Sequence, residues 1–282
     1  MRRKPSIAIV GPGRLGRALA KSLADAGFPV EEIVARSGRD ALRRARSLAQ
    51  AVGARVLADP GSALNAGLVW LCVPDAEIRR AADALSRSRW RGRVVFHSSG
   101  VLSSDELGDL RRAGASVASV HPLMTFVARS APDLRGTPFA IEGDARAVAV
   151  ARRIVRQLGG QALALRKQDK IAYHAFATMI CPLLVSLLAS SQRVAALAGV
   201  PRGKTRRLMM PILRQTLRNF ERLGADESFS GPIVRGDAET VDRHLAALQK
   251  APAARRVYVA LVKAALEELP ARSRKEILRL LR

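Results

Sequence analysis

The chain has 282 residues, with 48 Lys and Arg against 24 Asp and Glu and a formal net charge of +24. At 48% hydrophobic residues it is too apolar for a disordered chain, and it is too long for one comfortable core. Two cysteines, Cys72 and Cys181, cannot form a disulfide scaffold and lack the companion ligands of a zinc site, so a reduced cytoplasmic protein is expected.

The charge is spread evenly. Residues 1–165 hold 26 basic and 14 acidic groups and residues 166–282 hold 22 and 10, so each part carries +12. Arg outnumbers Lys 40 to 8, and the basic runs at 43–46, 87–93 and 202–207 have Trp90 as their one aromatic. A surface for single-stranded nucleic acid wants aromatic platforms beside its cations, so solvated Arg-rich faces are the better reading and nucleic acid is not an expected partner.

In chain order, residues 6–10 form a short β-rich run, and Leu15, Ala18, Leu19, Ser22 and Leu23 then mark a helix over 14–26. Strands follow at 30–35, 54–57, 68–73, 94–97, 116–121 and 138–142, with helices at 39–52, 78–85, 105–113 and 145–158. Apolar strands alternating with helices predict a doubly wound α/β domain whose parallel sheet is covered on both faces. After about residue 165 the pattern is helical: 169–197, 204–223, 241–248, 253–268 and 276–281. Two domains are expected, 1–165 and an all-helical 166–282. Pro182 should kink the first of these later helices. Ser273 with Glu276 matches a capping box for the last. The uncharged window 171–192 reads as a buried helix, with a membrane span as the alternative. The apolar stretch at 6–10 is too short for the core of a signal peptide.

Gly11, Gly13 and Gly16 fit G-x-G-x-x-G, with Pro12, Arg14 and Leu15 between them, directly after a strand and opening a helix. That placement makes a Rossmann-type dinucleotide site: Gly11 for the tight turn, Gly13 for approach of a pyrophosphate, Gly16 for helix packing. At the end of the second strand an NAD enzyme usually places an acid for the ribose hydroxyls. Here Arg36, Ser37 and Arg39 stand instead, a set suited to a 2′-phosphate, so NADP is expected over NAD. Val73, Pro74 and Asp75 close the fourth strand, where they would face the nicotinamide-side ribose. Cys72 reads as a small core residue, since no nearby charge would stabilise its thiolate.

With these motifs on view, the chain resembles the bacterial Rossmann-like proteins that carry the domain of unknown function DUF2520, relatives of pyrroline-5-carboxylate reductase, deazaflavin-dependent NADP reductase and the β-hydroxyacid dehydrogenases. The resembling segments are 11–16, 97–100 (His-Ser-Ser-Gly), 121–126 (His-Pro-Leu-Met-Thr-Phe), 173–175 (Tyr-His-Ala) and 230–237 (Ser-Gly-Pro-Ile-Val-Arg-Gly-Asp) with Thr240, Val241, His244 and Leu245. The resemblance implies an NADP-binding fold and oxidoreductase chemistry without naming a substrate. It also implies a proton donor or acceptor at Lys170, by likeness to the interdomain lysine of the β-hydroxyacid dehydrogenases, with His174 second on the same helix face. Dimerisation through the helical half is implied in the same way. One departure stands out: where the family usually has Ser-Asn beyond the histidine, this chain has Cys181-Pro182.

From their positions at strand ends, Ser98 and Ser99 are candidates for holding a substrate oxygen, and His121 for an acid or a donor to a carbonyl. Arg235, in a loop before the helix capped by Asp237, is a candidate clamp for a substrate carboxylate. Together these read as an NADP-dependent oxidoreductase moving hydride to or from a small carbonyl or imine compound in a cleft between domains. The alternatives are a catalytically altered NADP-binding sensor or assembly protein and, behind it, a basic nucleic-acid-binding protein.

Overall fold

The computed structural model describes residues 4–36, 38–58, 64–86, 90–128 and 132–282. They form two compact units, Met1–Thr178 and Met179–Arg282.

The first unit contains one sheet of eight strands: β1 (Ile7–Val10), β2 (Val30–Val34), β3 (Arg55–Leu57), β4 (Leu68–Leu71), β5 (Val94–His97), β6 (Ser116–Pro122), β7 (Pro138–Gly143) and β8 (Gln161–Ala164). Their order is β3-β2-β1-β4-β5-β6-β7-β8. The helices are α1 (Arg14–Asp25), α2 (Arg39–Val52), α3 (Ile78–Leu85), α4 (Gly108–Arg112), α5 (Ala145–Gln157) and α6 (Lys170–Thr178). Alternation along each strand sorts its residues to opposite faces. Ile7 and Ile9 join a core with Leu19 and Leu23 of α1, Leu48 of α2 and Ile154 of α5. Ala8 and Val10 join the opposite core with Ile78 and Leu85 of α3 and Leu110 of α4. The chain reverses its winding at β1, which pairs with β2 on one side and β4 on the other. The crevice beyond the carboxyl ends of those strands is where such sheets bind ligands.

The sheet departs from the all-parallel expectation at one place. β7 runs antiparallel to β6, with Val120 opposite Ile141, and β8 then pairs parallel to β7. The segment between β6 and β7 contains no crossover helix among its described residues, and a parallel return would need one.

The second unit holds α7 (Leu184–Leu197), α8 (Arg202–Ser228), α9 (Pro232–Arg235), α10 (Ala238–Ala247), α11 (Pro252–Glu268) and α12 (Arg274–Leu280). Its core joins Val241 and Leu245, Val262 and Leu266, and Ile277 with Leu281. The turn before α7, Met179–Leu183, is a π-helix around Pro182, so the expected kink is a widened turn. α8 outruns its expected end, and Gly224, with φ of 76°, breaks its helical geometry.

Two expectations fail. Ser273 does not cap α12 by its side chain, because its backbone is left-handed (φ 48°, ψ 35°) where a capping serine needs an extended one. Its hydroxyl lies against Gly236 instead. The window 171–192, expected to be buried, lies in a helical run, Lys167–Leu197, that is long and apolar enough by length and composition to cross a membrane, yet only 6% of the run's most apolar window is covered within this chain. Ile171, Met179, Ile180 and Val185 all stand at least half exposed. The run is apolar around most of its circumference, whereas packing within one chain covers a single stripe.

Glu32, fully buried in β2, fixes the strand that leads into α2. It receives Arg55 of β3 at 2.5 Å and the backbone N–H groups of Asn65 and Ala66 at 3.1 and 3.4 Å, tying the edge strand and the crossover into β4 to one carboxylate. Glu32→Ala leaves those two amide donors without partners and is expected to lower unfolding stability by on the order of 3 kcal/mol in urea titration. A change below about 1 kcal/mol would show that water replaces the carboxylate.

Candidate active site

The glycine turn between β1 and α1 is shaped by close packing against β4. A side chain at Gly11, where φ is 99°, would meet the Cys72 carbonyl oxygen at 2.7 Å, and one at Gly16 would meet the Gly11 carbonyl oxygen at 2.1 Å. At Gly13 the space is open, and this residue starts α1 without any side-chain cap. The first N–H groups of α1 are therefore free to receive an anion. Leu15 packs into the sheet core, and Arg14 is exposed on the first turn. Desolvation pushes the Cys72 thiol far up, in keeping with a packing role.

A cavity of about 620 Å³ opens at this turn. Of the residues assigned to the cofactor from the sequence, Gly11, Pro12, Gly13, Val73, Pro74 and Arg36 line it. Arg36 Nη1 donates to Glu77 Oε1 at 2.7 Å across the exposed rim. Ser37 lies outside the described residues. Arg39 begins α2 in an exposed position and does not line the cavity; Arg44 and Arg80 do. Neither was singled out in the sequence, because Arg44 sits within a general run of arginines and Arg80 follows β4 rather than β2. The lining suits a dinucleotide: an uncapped helix start, glycines at 11 and 13, and three arginines.

Further along the carboxyl ends of the strands, the residues after β5 are committed to one another. His97 Nε2 bonds the Ser103 carbonyl at 2.9 Å while Nδ1 accepts from the Ser99 N–H at 3.1 Å, which fixes the neutral Nε2–H tautomer. Ser98 Oγ accepts from Trp70 Nε1 at 2.8 Å. Ser99 Oγ donates to Asp75 Oδ2 at 2.8 Å and accepts from the Val101 and Leu102 N–H groups at 3.2 and 2.9 Å. Ser98 and Ser99 are both buried. These two serines and Asp75 thus shape the turn, and their polar atoms point into the protein's own network.

Lys170 is 1% exposed, the first residue of α6. Its Nζ donates to Ser119 Oγ at 2.8 Å and to the Ser99 carbonyl at 3.1 Å. Burial lowers its pKa, with the charges of Glu142 and Asp75 opposing the shift. One turn on, the Tyr173 hydroxyl meets His121 Nδ1 at 3.0 Å, and His174 stands edge-on to His121 with ring centroids 6.3 Å apart. Both imidazoles crowd Gly100: a Cβ there would lie 2.6 Å from His174 Cδ2 and 2.9 Å from His121 Nε2. Burial pushes the Tyr173 hydroxyl up to about 12 and is the main cause that brings His121 down to about 4, helped by the positive charge of Lys170. At neutral pH the tyrosine therefore donates to Nδ1, and His121 presents an Nε2–H beside Gly100. His174 makes no hydrogen bond among the described residues. Tyr173 was visible in the sequence only as part of a motif; nothing in spacing announces that it orients a histidine 52 residues away. Arg235 ends α9 in the second unit, exposed. No group of three or more metal-ligating side chains occurs among the described residues.

His97, like His121, is brought down to about 4, chiefly by burial. A buried neutral imidazole has its folded pKa below the unfolded value near 6.5, so its contribution to stability is complete above about pH 6.5 and is lost as pH falls toward 4. In an NMR titration the His97 and His121 ring protons are expected to hold their neutral shifts down to about pH 5. A midpoint near 6.5 for either ring would contradict the enclosure described above.

No curated protein matches the chain. A family model described as a Rossmann-like domain matches residues 2–122, and one described as domain of unknown function DUF2520 matches residues 137–265. Among solved structures, a "putative NADP oxidoreductase" from Bacteroides fragilis is similar with a TM-score of 0.77 and 22% identity, over 93% of this chain and 97% of that one. A reductive aminase from Aspergillus terreus, in complex with NADPH and ethyl-5-oxohexanoate, gives 0.65 at 15% identity over 98% and 99%. A pyrroline-5-carboxylate reductase from Coxiella burnetii gives 0.59 at 16% over 94% and 98%. At these identities the structural likeness establishes the fold alone, and the two family models identify in this chain a Rossmann-like domain followed by a DUF2520 domain.

Proposed function

We propose that this protein is an NADP-dependent oxidoreductase acting on a small carbonyl or imine compound. The observation that carries the reading is the cavity at the β1–β4 reversal, where an uncapped helix start faces three arginines that line the same space. The NADPH-bound reductive aminase among the similar structures supports it.

When bound, the dinucleotide supplies the hydride. The chain's own residues bind and orient it: the Gly13 turn takes the pyrophosphate, and Arg36 with Arg44 or Arg80 takes the 2′-phosphate, in exchange for the Glu77 pair that now holds Arg36. His174 is assigned the proton transfer, because it is half-buried, free of hydrogen bonds among the described residues, and adjacent to Gly100. His121, held by Tyr173, offers Nε2–H to a carbonyl or imine nitrogen. Lys170 is assigned a positioning role: its ammonium is enclosed and spends its donors on Ser119 and the Ser99 carbonyl.

Kinetics with NADPH and NADH over a panel of ketones, cyclic imines and 2-oxo acids tests this reading. Arg36→Ala is expected to weaken NADPH by about tenfold or more while leaving NADH within a factor of about three. His174→Ala is expected to lower kcat by about 10²-fold or more with NADPH affinity kept. Tight NADPH binding without turnover of any panel member would favour the non-catalytic binding role instead. Equal affinity for both dinucleotides would overturn the NADP reading.

The uncovered apolar side chains of the second unit, among them Met179, Ile180, Val185, Leu208, Ile212 and Phe220, support a dimer through that unit. Sedimentation is expected to give the mass of two chains, and a monomer at micromolar concentration would exclude it.

A further inference from the structure

Beside the dinucleotide cavity lies a second groove of about 870 Å³, between α1 and α2 and reaching Val127 and Ala128. Arg14, Arg17 and Lys21 line it from α1; their spacing of three and four residues puts them on one helix face. Arg43, Arg44 and Ser47 line it from α2, and no carboxylate contributes to the wall. Arg43 is paired with Asp40 at 3.0 Å. Arg14, Arg17, Lys21 and Arg44 make no ion pair or side-chain hydrogen bond among the described residues. Cations this close repel one another at a cost in stability, and a concave wall of one sign concentrates counter-ions.

The dinucleotide cannot account for all of these groups. Pro12, Gly13 and Arg44 line both spaces, but Arg14, Arg17 and Lys21 do not line the dinucleotide cavity. Arg14 and Lys21 are two turns apart, about 10 Å along α1, more than one phosphate group spans.

We propose that this groove is a second anion site, taking a short oligophosphate chain or a small molecule bearing several phosphates, held by Arg14, Arg17 and Lys21 on one wall and Arg43 and Arg44 on the other. Arg44 faces both spaces, so an anion in the groove and a 2′-phosphate in the cavity compete for it. Each ligand then weakens the other by the same factor. The groove uses the net charge of the chain locally, where a nucleic-acid surface would use it broadly. Its existence does not rest on the cofactor reading, since a bare oligophosphate probes it directly.

The test is calorimetric titration of the full chain with inorganic triphosphate, without and with saturating NADP. Without NADP, one triphosphate per chain is expected, weakened about tenfold in an Arg17→Ser/Lys21→Ser variant and changed less than about threefold in Arg36→Ala. Because both substituted side chains are exposed, the fold should persist, and Arg17→Lys should restore most of the affinity. With NADP present, the affinity should fall without vanishing. If Arg36→Ala abolishes binding while the α1 variant binds normally, triphosphate sits in the dinucleotide cavity and the proposal fails. It fails too if neither variant matters, or if a single-stranded oligonucleotide outcompetes triphosphate for the same residues.

Discussion

An ammonium group enclosed where α6 meets the ends of β5 and β6 sets the geometry of the candidate site. Lys170 carries its charge to a position that is 1% exposed, against a desolvation cost of several kcal/mol, with a serine hydroxyl and a peptide carbonyl as its direct partners. Such a placement survives only if the surrounding polar groups are fixed. Ser119 also donates to the Ser99 carbonyl at 3.2 Å, so the lysine, the serine and the carbonyl close a small ring of hydrogen bonds. Glu142 lies buried nearby, engaged by the N–H and Oγ of Ser104 at 2.6 and 2.9 Å, and its charge favours the ammonium form. The consequence is positional. Once Lys170 is anchored, Tyr173 and His174 are delivered, one turn later, to His121 and Gly100.

This arrangement explains why the polar residues of the 97–100 segment are poor candidates for substrate contact. Every hydroxyl there is engaged by the fold: Ser98 by Trp70, Ser99 by Asp75 and two backbone N–H groups. Gly100 carries no side chain, and its absence is what lets two imidazoles close in on the turn. The polar content of the turn builds a rigid floor, and the two imidazoles arrive from β6 and α6. Rigid support under a site of this kind is what holds donors in place when charge develops.

The fold was legible because its signals are local and agree with each other. Alternating apolar strands, helices at 3.6 spacing and a glycine turn after the first strand each point to the same topology. What escaped depends on partners far along the chain. The antiparallel turn of β7 follows from the connection between β6 and β7, not from residues inside the strand. Ser273 carries a capping motif in sequence but adopts a left-handed backbone. Ser98 looked available because nothing near it predicts Trp70, 28 residues earlier, as its donor. Tyr173 lacked any sequence signal for its role, since its partner His121 comes from another strand. Arg44 and Arg80 were lost in the arginine surplus for the same reason: composition reports how many cations exist, and topology decides which two face a cavity.

That surplus is the feature whose meaning changes most between sequence and structure. An evenly spread +24 argues against a dedicated basic domain, and on that view the excess is solvated decoration. In three dimensions the even spread is locally uneven. Where a carboxylate is near, the arginines pair, as Arg79 does with Glu106, Arg111 with Asp144 and Arg55 with Glu32. Around the glycine turn carboxylates are scarce: Glu77 reaches Arg36 on one side, and no acid lines the groove on the other. Exposed pairs such as Arg79 with Glu106 contribute little to stability, whereas unpaired cations gathered around a concave surface destabilise the empty fold. A chain that keeps such a gathering beside the cavity at the glycine turn trades some stability for affinity toward anions, and the trade is made where the helix start of α1 already favours negative charge.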